Sequence, residues 1–157
     1  MKTRFRVIAV LLMVLTMFSA VAVPAFAANT SNEEFAGFEI FDGRALPPRE
    51  KDDASPHYLY LYADNDEFDT YYVASLGLAE YGDDDFNDCT MVSGQYVDHV
   101  TCREGTRYSI YNGVYANGYP WATLFFSGYR DNYIYGGCIS GRWSPDSSGR
   151  YTYATTE

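Results

Sequence analysis

The chain has 157 residues, of which 47% are hydrophobic, 18% aromatic and 20% charged. It is long enough for one domain and too apolar for intrinsic disorder. It carries 21 acidic residues against 11 Lys and Arg, three of which (Lys2, Arg4 and Arg6) stand at the start. The 21 acidic and eight basic residues beyond them give the rest of the chain a net charge of −13. Such a charge repels phosphate backbones and anionic lipids, which excludes nucleic acid as the expected partner.

The first 27 residues have the pattern of a signal peptide. A basic start precedes an uncharged run over residues 7–23, and Ala25 and Ala27 are the small residues that a signal peptidase accepts before its cleavage point. The alternative is an uncleaved anchor, but the uncharged run is near the lower limit for spanning a bilayer. We expect cleavage after Ala27. The mature chain is then secreted, extracellular or associated with the cell surface, with no membrane insertion.

Residues 28–56 are predicted to be a flexible N-terminal leader followed by a loop rich in proline and charge. The leader is small and polar, and residues 35–41 offer a first short strand. Pro47, Pro48 and Pro56 flank a mixed charge cluster over 49–53, a composition typical of an exposed loop.

The β domain is predicted over residues 57–157, where the dominant hydrophobic period is two. Residues 57–63 alternate Leu59 and Leu61 on one face with three tyrosines on the other. Further predicted strands cover 70–79, 89–92, 96–102, 106–116, 121–128, 133–143 and 151–154, with a hairpin turn at Asn117-Gly118 joining 106–116 to 121–128. The expected fold is all-β, a single-domain antiparallel β-sandwich or barrel of about seven to eight short strands.

Three cysteines, Cys89, Cys102 and Cys138, lie in the predicted mature chain. In an oxidising compartment this odd number indicates one disulfide and one remaining thiol. A hairpin over 90–101 would place Cys89 opposite Cys102, and closing that loop would stabilise the fold by about 3 kcal/mol. The pairs Cys102–Cys138 and Cys89–Cys138 stay open as alternatives, and so does a state in which all three are buried and reduced.

The sequence offers no assembled catalytic site. His57 and His99 are the only imidazoles, and neither lies in a nucleophile motif such as G-x-S-x-G. We therefore expect a protein that is not an enzyme and that has no cofactor.

Two acidic loops, 64–69 and 83–88, are the candidate calcium sites because Ca²⁺ prefers several oxygen ligands in one loop. Their candidate ligands are Asp64, Asp66, Asp83 and Asp85. Neither loop has the spacing of a calcium-binding EF-hand: counted from Asp83, position six is Asp88 instead of Gly. We expect a solvated negative surface here and no metal site.

The tyrosines of the 57–63 segment, Tyr58, Tyr60 and Tyr62, form a candidate ligand face. A row of such rings can stack on sugars or on a protein partner, since each combines apolar area with a polar edge. The competing interpretation is sheet propensity, because tyrosine pairs well across strands in any β protein.

The carboxy-terminal third carries short motifs that resemble a known group of proteins. These are 100–106 (VTCREGT), the Tyr/Asn run 108–115, Ala122-Thr123-Leu124, and 138–147 (CISGRWSPDS). They resemble small exported Gram-positive proteins of unknown function that are encoded near bacteriocin-type transporters. There is a weaker similarity to the lactococcin-like secreted bacteriocins, from which this chain departs in its cysteines and its acidity.

The residues predict a secreted acidic binding protein without enzymatic activity. The resemblance implies that this protein is either bacteriocin-like or an accessory factor of a bacteriocin system. The alternative, based on the tyrosine face, is a cell-envelope or carbohydrate-binding module. The expected partner is accordingly an unidentified protein or a cell-envelope glycan.

Overall fold

The computed structural model describes residues 30–40, 43–62, 70–128 and 138–156. The predicted signal peptide, the first acidic loop with Asp64 and Asp66, and part of the predicted 133–143 strand lie outside the described residues. Within the described ranges, no helix is long and apolar enough to cross a membrane.

The described chain is all-β, which confirms the predicted fold class. Its strands are, in chain order, β1 (Glu33–Glu39), β2 (Arg44–Ala45), β3 (Arg49–Glu50), β4 (His57–Leu61), β5 (Thr70–Leu78), β6 (Asn87–Asp88), β7 (Met91–Val92), β8 (Gln95–Tyr96), β9 (Val100–Arg103), β10 (Arg107–Ile110), β11 (Trp121–Gly128), β12 (Cys138–Ser144) and β13 (Thr152–Tyr153).

The strands form two main sheets. The first, sheet A, has the order β1-β12-β4-β10-β13, and the second, sheet B, has the order β2-β11-β5-β6 with β3 also paired to β11 and β9 to β5. All pairs are antiparallel except β10 with β13, which run parallel. Strands β7 and β8 form a separate hairpin whose turn, Ser93-Gly94, has positive φ at both residues, the geometry that favours a tight two-residue turn.

The core lies between the inner faces of the two sheets. Sheet A contributes the alternating residues Leu59 and Leu61 together with Trp143, and sheet B contributes Leu124 and Phe126. Because both sheets bury one face in the same cluster, the architecture is that of a β-sandwich. The alternation predicted for β4 is confirmed: its leucines are buried in the core and its tyrosines lie on the opposite face.

The region before His57 contributes three strands to the two sheets, whereas the sequence analysis assigned it to a leader with one short strand over 35–41 and to an exposed loop. Strand β1 pairs with β12, and β2 and β3 pair with β11. Arg49 and Lys51, inside the predicted exposed charge cluster, are buried. Local composition predicted exposure wrongly here, because Arg49 and Lys51 each have a polar partner in a distant part of the chain.

The predicted hairpin around Asn117-Gly118 is wrong. Strand β10 belongs to sheet A and β11 to sheet B, so the segment between them crosses from one layer to the other. Gly118 does take positive φ in a turn. Val114, shortly before this turn, is buried with Cys89 and Ala122 in a second, small cluster.

Candidate functional site

A buried ion pair joins a segment after a strand of sheet B to a segment after a strand of sheet A. Lys51 follows β3 and Asp146 follows β12, and both side chains have no exposed surface. The Lys51 ammonium also donates to the carbonyl of Ser55 at 2.7 Å, and the Asp52 N–H donates to Asp146 Oδ2 at 3.0 Å. Burial lowers the pKa of Lys51, and the Asp146 carboxylate opposes that shift. Each charge therefore has hydrogen-bond partners, as buried charges require.

A second polar bridge crosses the core between the sheets. His57 of β4 is fully buried, with Nδ1 at 2.7 Å from the Pro145 carbonyl and Nε2 at 2.7 Å from Ser75 Oγ on β5. A carbonyl oxygen only accepts, so Nδ1 carries the proton and Nε2 accepts the Ser75 hydroxyl proton. The Ser75 N–H in turn donates to Thr90 Oγ1 at 2.7 Å.

The imidazole of His57 is held in its neutral form. Burial and, to a smaller extent, the nearby charge of Lys51 lower its pKa from 6.5 to about 3, although the hydrogen bond to Pro145 acts in the opposite direction. A neutral histidine hydrogen-bonded to a serine is the geometry of a nucleophile and its base. Here both side chains have zero exposed surface, and their hydrogen bond joins β4 of sheet A to β5 of sheet B.

The outer face of sheet A holds the three tyrosines that the sequence analysis proposed as a ligand face. They do not form one open row. The ring of Tyr151 lies 4.7 Å from that of Tyr58, and Tyr58 is only 7% exposed. Tyr60 and Tyr62 are half-buried and meet edge to face with ring centroids 5.3 Å apart. Tyr58 is therefore covered by the chain itself, and the accessible part of this face begins at Tyr60.

A groove of about 540 Å³ opens beside Tyr60. Its lining comes from β4, from β10 with the turn before it, and from β13 with the segment that leads into it: Tyr60, Gly105, Thr106, Arg107, Arg150, Tyr151 and Thr152. The Arg107 guanidinium lies 5.5 Å from the centre of the Tyr60 ring, within range of a cation–π contact. We call this the tyrosine–arginine groove.

Two arginines, Arg107 and Arg150, line this groove. Arg107 and Arg150 are exposed, and neither forms a salt bridge within the part of the chain that the structure describes. Arg142, on the same face, is instead paired with Glu34, whose pKa is lowered by that hydrogen bond and charge. Two unpaired guanidinium groups next to aromatic rings suit a ligand that has both a flat apolar surface and an anionic group.

The predicted Cys89–Cys102 disulfide is wrong. The Cys89 N–H donates to the Ser75 carbonyl and Cys102 pairs with Tyr71, so their positions along β5 differ by four residues, about 13 Å. A disulfide needs Cα atoms within about 7 Å. Cys138 starts β12 in the other sheet and is exposed, and no disulfide joins any two of the three cysteines.

The second acidic loop is described, and its aspartates serve the turn. Asp83 Oδ1 accepts the N–H of Asp85 at 3.0 Å, and Asp85 itself is exposed. Across the described ranges, no three His, Cys, Asp or Glu side chains are placed to hold a metal ion.

The sequence analysis missed most of the residues that form the tyrosine–arginine groove and the buried Lys51–Asp146 ion pair. Arg107 alternates with Ser109 in β10, a pattern that puts it on the outer face, but only the register Arg107↔Tyr60 brings it to the tyrosine. Asp146 lies in an S-P-D turn that predicts exposure, and nothing in the local sequence indicates its partner, Lys51.

Two mainly antiparallel sheets around one core, with a groove on the outer face of one sheet, define an all-β protein of the sandwich class. The chain belongs to a family described as a protein of unknown function, DUF2712, whose profile matches residues 23–147. That match includes every strand except β13. No curated protein and no solved structure matches the chain.

Proposed function

We propose that this chain is an exported, non-enzymatic binding protein that recognises an anionic saccharide of the cell envelope through the tyrosine–arginine groove. The observation that carries the proposal is the pair Arg107 and Arg150, which line one groove with Tyr60 and Tyr151. Aromatic rings stack on the apolar faces of sugars, and guanidinium groups bind carboxylate or phosphate in a two-pronged geometry.

The distribution of charge on the molecule limits which anionic ligands can bind in the groove. The chain beyond its first six residues is strongly acidic, so a polyanion is repelled from most of the surface. At the groove the local charge is positive, because the two arginines have no carboxylate partner among the described residues. A short ligand with one or two anionic groups suits this pattern better than a long polyanion.

Bacteriocin association is the other role that the resemblance implies, and it stays a prediction. The W-S-P-D segment that carries part of the resemblance contains Trp143 and Asp146, which are buried in the core and in the ion pair with Lys51. The motif therefore has a structural reason of its own and supports no specific toxin role.

The test is calorimetric titration of the purified protein with muropeptides, which are carboxylate-bearing fragments of peptidoglycan. Neutral oligomers of N-acetylglucosamine serve as the ligand control. We expect Tyr60→Ala and Arg150→Ala each to weaken muropeptide binding about tenfold, since stacking and charged contacts dominate such sites.

The matched control variants are Tyr96→Ala and Arg44→Ala, which remove an exposed tyrosine and an exposed arginine outside the groove. Both should bind muropeptides as the unaltered protein does. Absence of muropeptide binding, or equal losses in the groove and control variants, would contradict the proposal.

A further inference from the structure

The outer face of sheet B carries large apolar side chains where a solvent-facing sheet would be mainly polar. Residues facing outward on β5 include Leu76 and Leu78, opposite Thr123 and Trp121 of β11, while Val73 and Phe126 face the core. Strand β5 is thus apolar on both faces, a pattern typical of a strand that is covered on both sides.

The loop after β5 covers only part of this outer face. The ring of Tyr81 packs on that of Trp121 with centroids 5.1 Å apart, and Leu78 nearby is fully buried. Further along, a groove of about 580 Å³ remains open, lined by Gly43, Arg44, Ala45, Leu76, Phe86 and Phe125. Phe86 forms part of its wall and is 43% exposed.

The apolar groove continues into an acidic rim. A neighbouring cavity of about 300 Å³ shares Arg44, Ala45 and Phe86 with it and is also lined by Asp83 and Asp84. Neither aspartate forms a salt bridge within the described residues. The one cation in the lining, Arg44, lies over the Phe38 ring at 4.8 Å.

We propose that this groove binds a cationic amphipathic peptide, with the apolar side chains of the peptide on Phe86, Leu76 and Phe125 and its basic side chains at Asp83 and Asp84. Charge complementarity selects this occupant. The groove is apolar, its rim is acidic, and the net charge of the chain attracts cations from a distance. An anionic membrane would meet the same apolar surface but would be repelled by the rim.

The experiment measures the fluorescence anisotropy of a labelled amphipathic peptide of Lys and Leu titrated with the purified protein. A Glu/Leu peptide of the same pattern, a scrambled Lys/Leu peptide and anionic phosphatidylglycerol vesicles are the alternative ligands. We expect the amphipathic Lys/Leu peptide to bind, the scrambled peptide to bind at least about tenfold more weakly, and the Glu/Leu peptide and the vesicles not to bind.

Two variants locate the site. Phe86→Ser removes the exposed apolar wall, and Asp84→Asn removes one rim charge; each should weaken binding of the Lys/Leu peptide about tenfold. The matched control is Asp98→Asn, which removes one exposed carboxylate outside both cavities and should leave binding unchanged.

Binding that is equal in all three variants, or equal for the scrambled peptide, would overturn the proposal. So would binding of the vesicles or of the Glu/Leu peptide. Because this groove and the tyrosine–arginine groove lie on different sheets, failure here leaves the saccharide proposal intact.

Discussion

Lys51 and Asp146 form an ion pair in which both side chains are fully buried, although 95 positions separate them in the sequence. Lys51 belongs to the segment that the sequence analysis treated as an exposed loop, and Asp146 to the turn after β12. The pair therefore fixes the N-terminal strands to the last long strand of sheet A.

Removing one partner of this pair should destabilise the fold strongly. Lys51→Met removes the ammonium group that pairs with the buried Asp146 carboxylate, and we expect the free energy of unfolding to fall by about 3–5 kcal/mol. The double variant Lys51→Met/Asp146→Asn removes both charges and should cost less than the sum of the two single variants. The measurement is urea unfolding of the unaltered protein, of Lys51→Met, of Asp146→Asn and of the double variant.

The control for that cycle is Glu34→Gln, which breaks the exposed ion pair with Arg142. Exposed pairs contribute little because water screens them, so this loss should be much smaller than that of Lys51→Met. Strict additivity of the two core variants would mean that Lys51 and Asp146 do not stabilise each other.

The buried histidine predicts how stability depends on pH. His57 is neutral in the folded state with a pKa of about 3, whereas its ordinary value is 6.5. Between these two pH values the unfolded chain binds one more proton than the folded chain. The contribution of neutral His57 to the free energy of unfolding is therefore fully present above pH 6.5 and is lost as the pH falls toward 3. The total effect is on the order of 5 kcal/mol, at about 1.36 kcal/mol for each unit of the shift.

The measurement is the slope of unfolding free energy against pH for the unaltered protein and for His57→Gln, which has no titrating imidazole. We expect the variant to take up about one proton fewer on unfolding between pH 6.5 and 4. Identical slopes for the two proteins would show that His57 does not titrate differently in the folded and unfolded states.

The three cysteines predict a distinct pattern of reactivity. Cys138 is exposed, while Cys89 and Cys102 are buried and burial raises the pKa of both thiols. A thiol reagent should modify Cys138 first in the folded protein and all three cysteines after unfolding without reductant. Mass spectrometry counts the additions, and a count of one in the unfolded protein would indicate a disulfide.

The sequence allowed the sheet content and the local faces to be predicted, because strand alternation is a local signal. In β4 the alternation of Leu59 and Leu61 with tyrosines was sufficient to predict which face of the strand lies in the core. The burial of Tyr58 was not predictable, because Tyr151, which covers it, lies 93 positions away and after a turn.

The prediction of which strands share a sheet was wrong for a related reason. Asn117-Gly118 forms a turn in either topology, and the change of sheet follows from the pairing of β10 with β4 and of β11 with β5. The groove arginines share this origin: Arg107 reaches Tyr60 through the β4–β10 register, a non-local pairing that composition and periodicity do not encode.

The measurement that tests the central claim most directly is an NMR titration of the isotope-labelled protein with muropeptides, following each backbone amide. We predict saturable shifts concentrated at Tyr60, Thr106, Arg107, Tyr151 and Thr152, which line the tyrosine–arginine groove, with Gln95 and Tyr96 unchanged. Shifts that are absent, or that concentrate on the outer face of sheet B, would contradict the account.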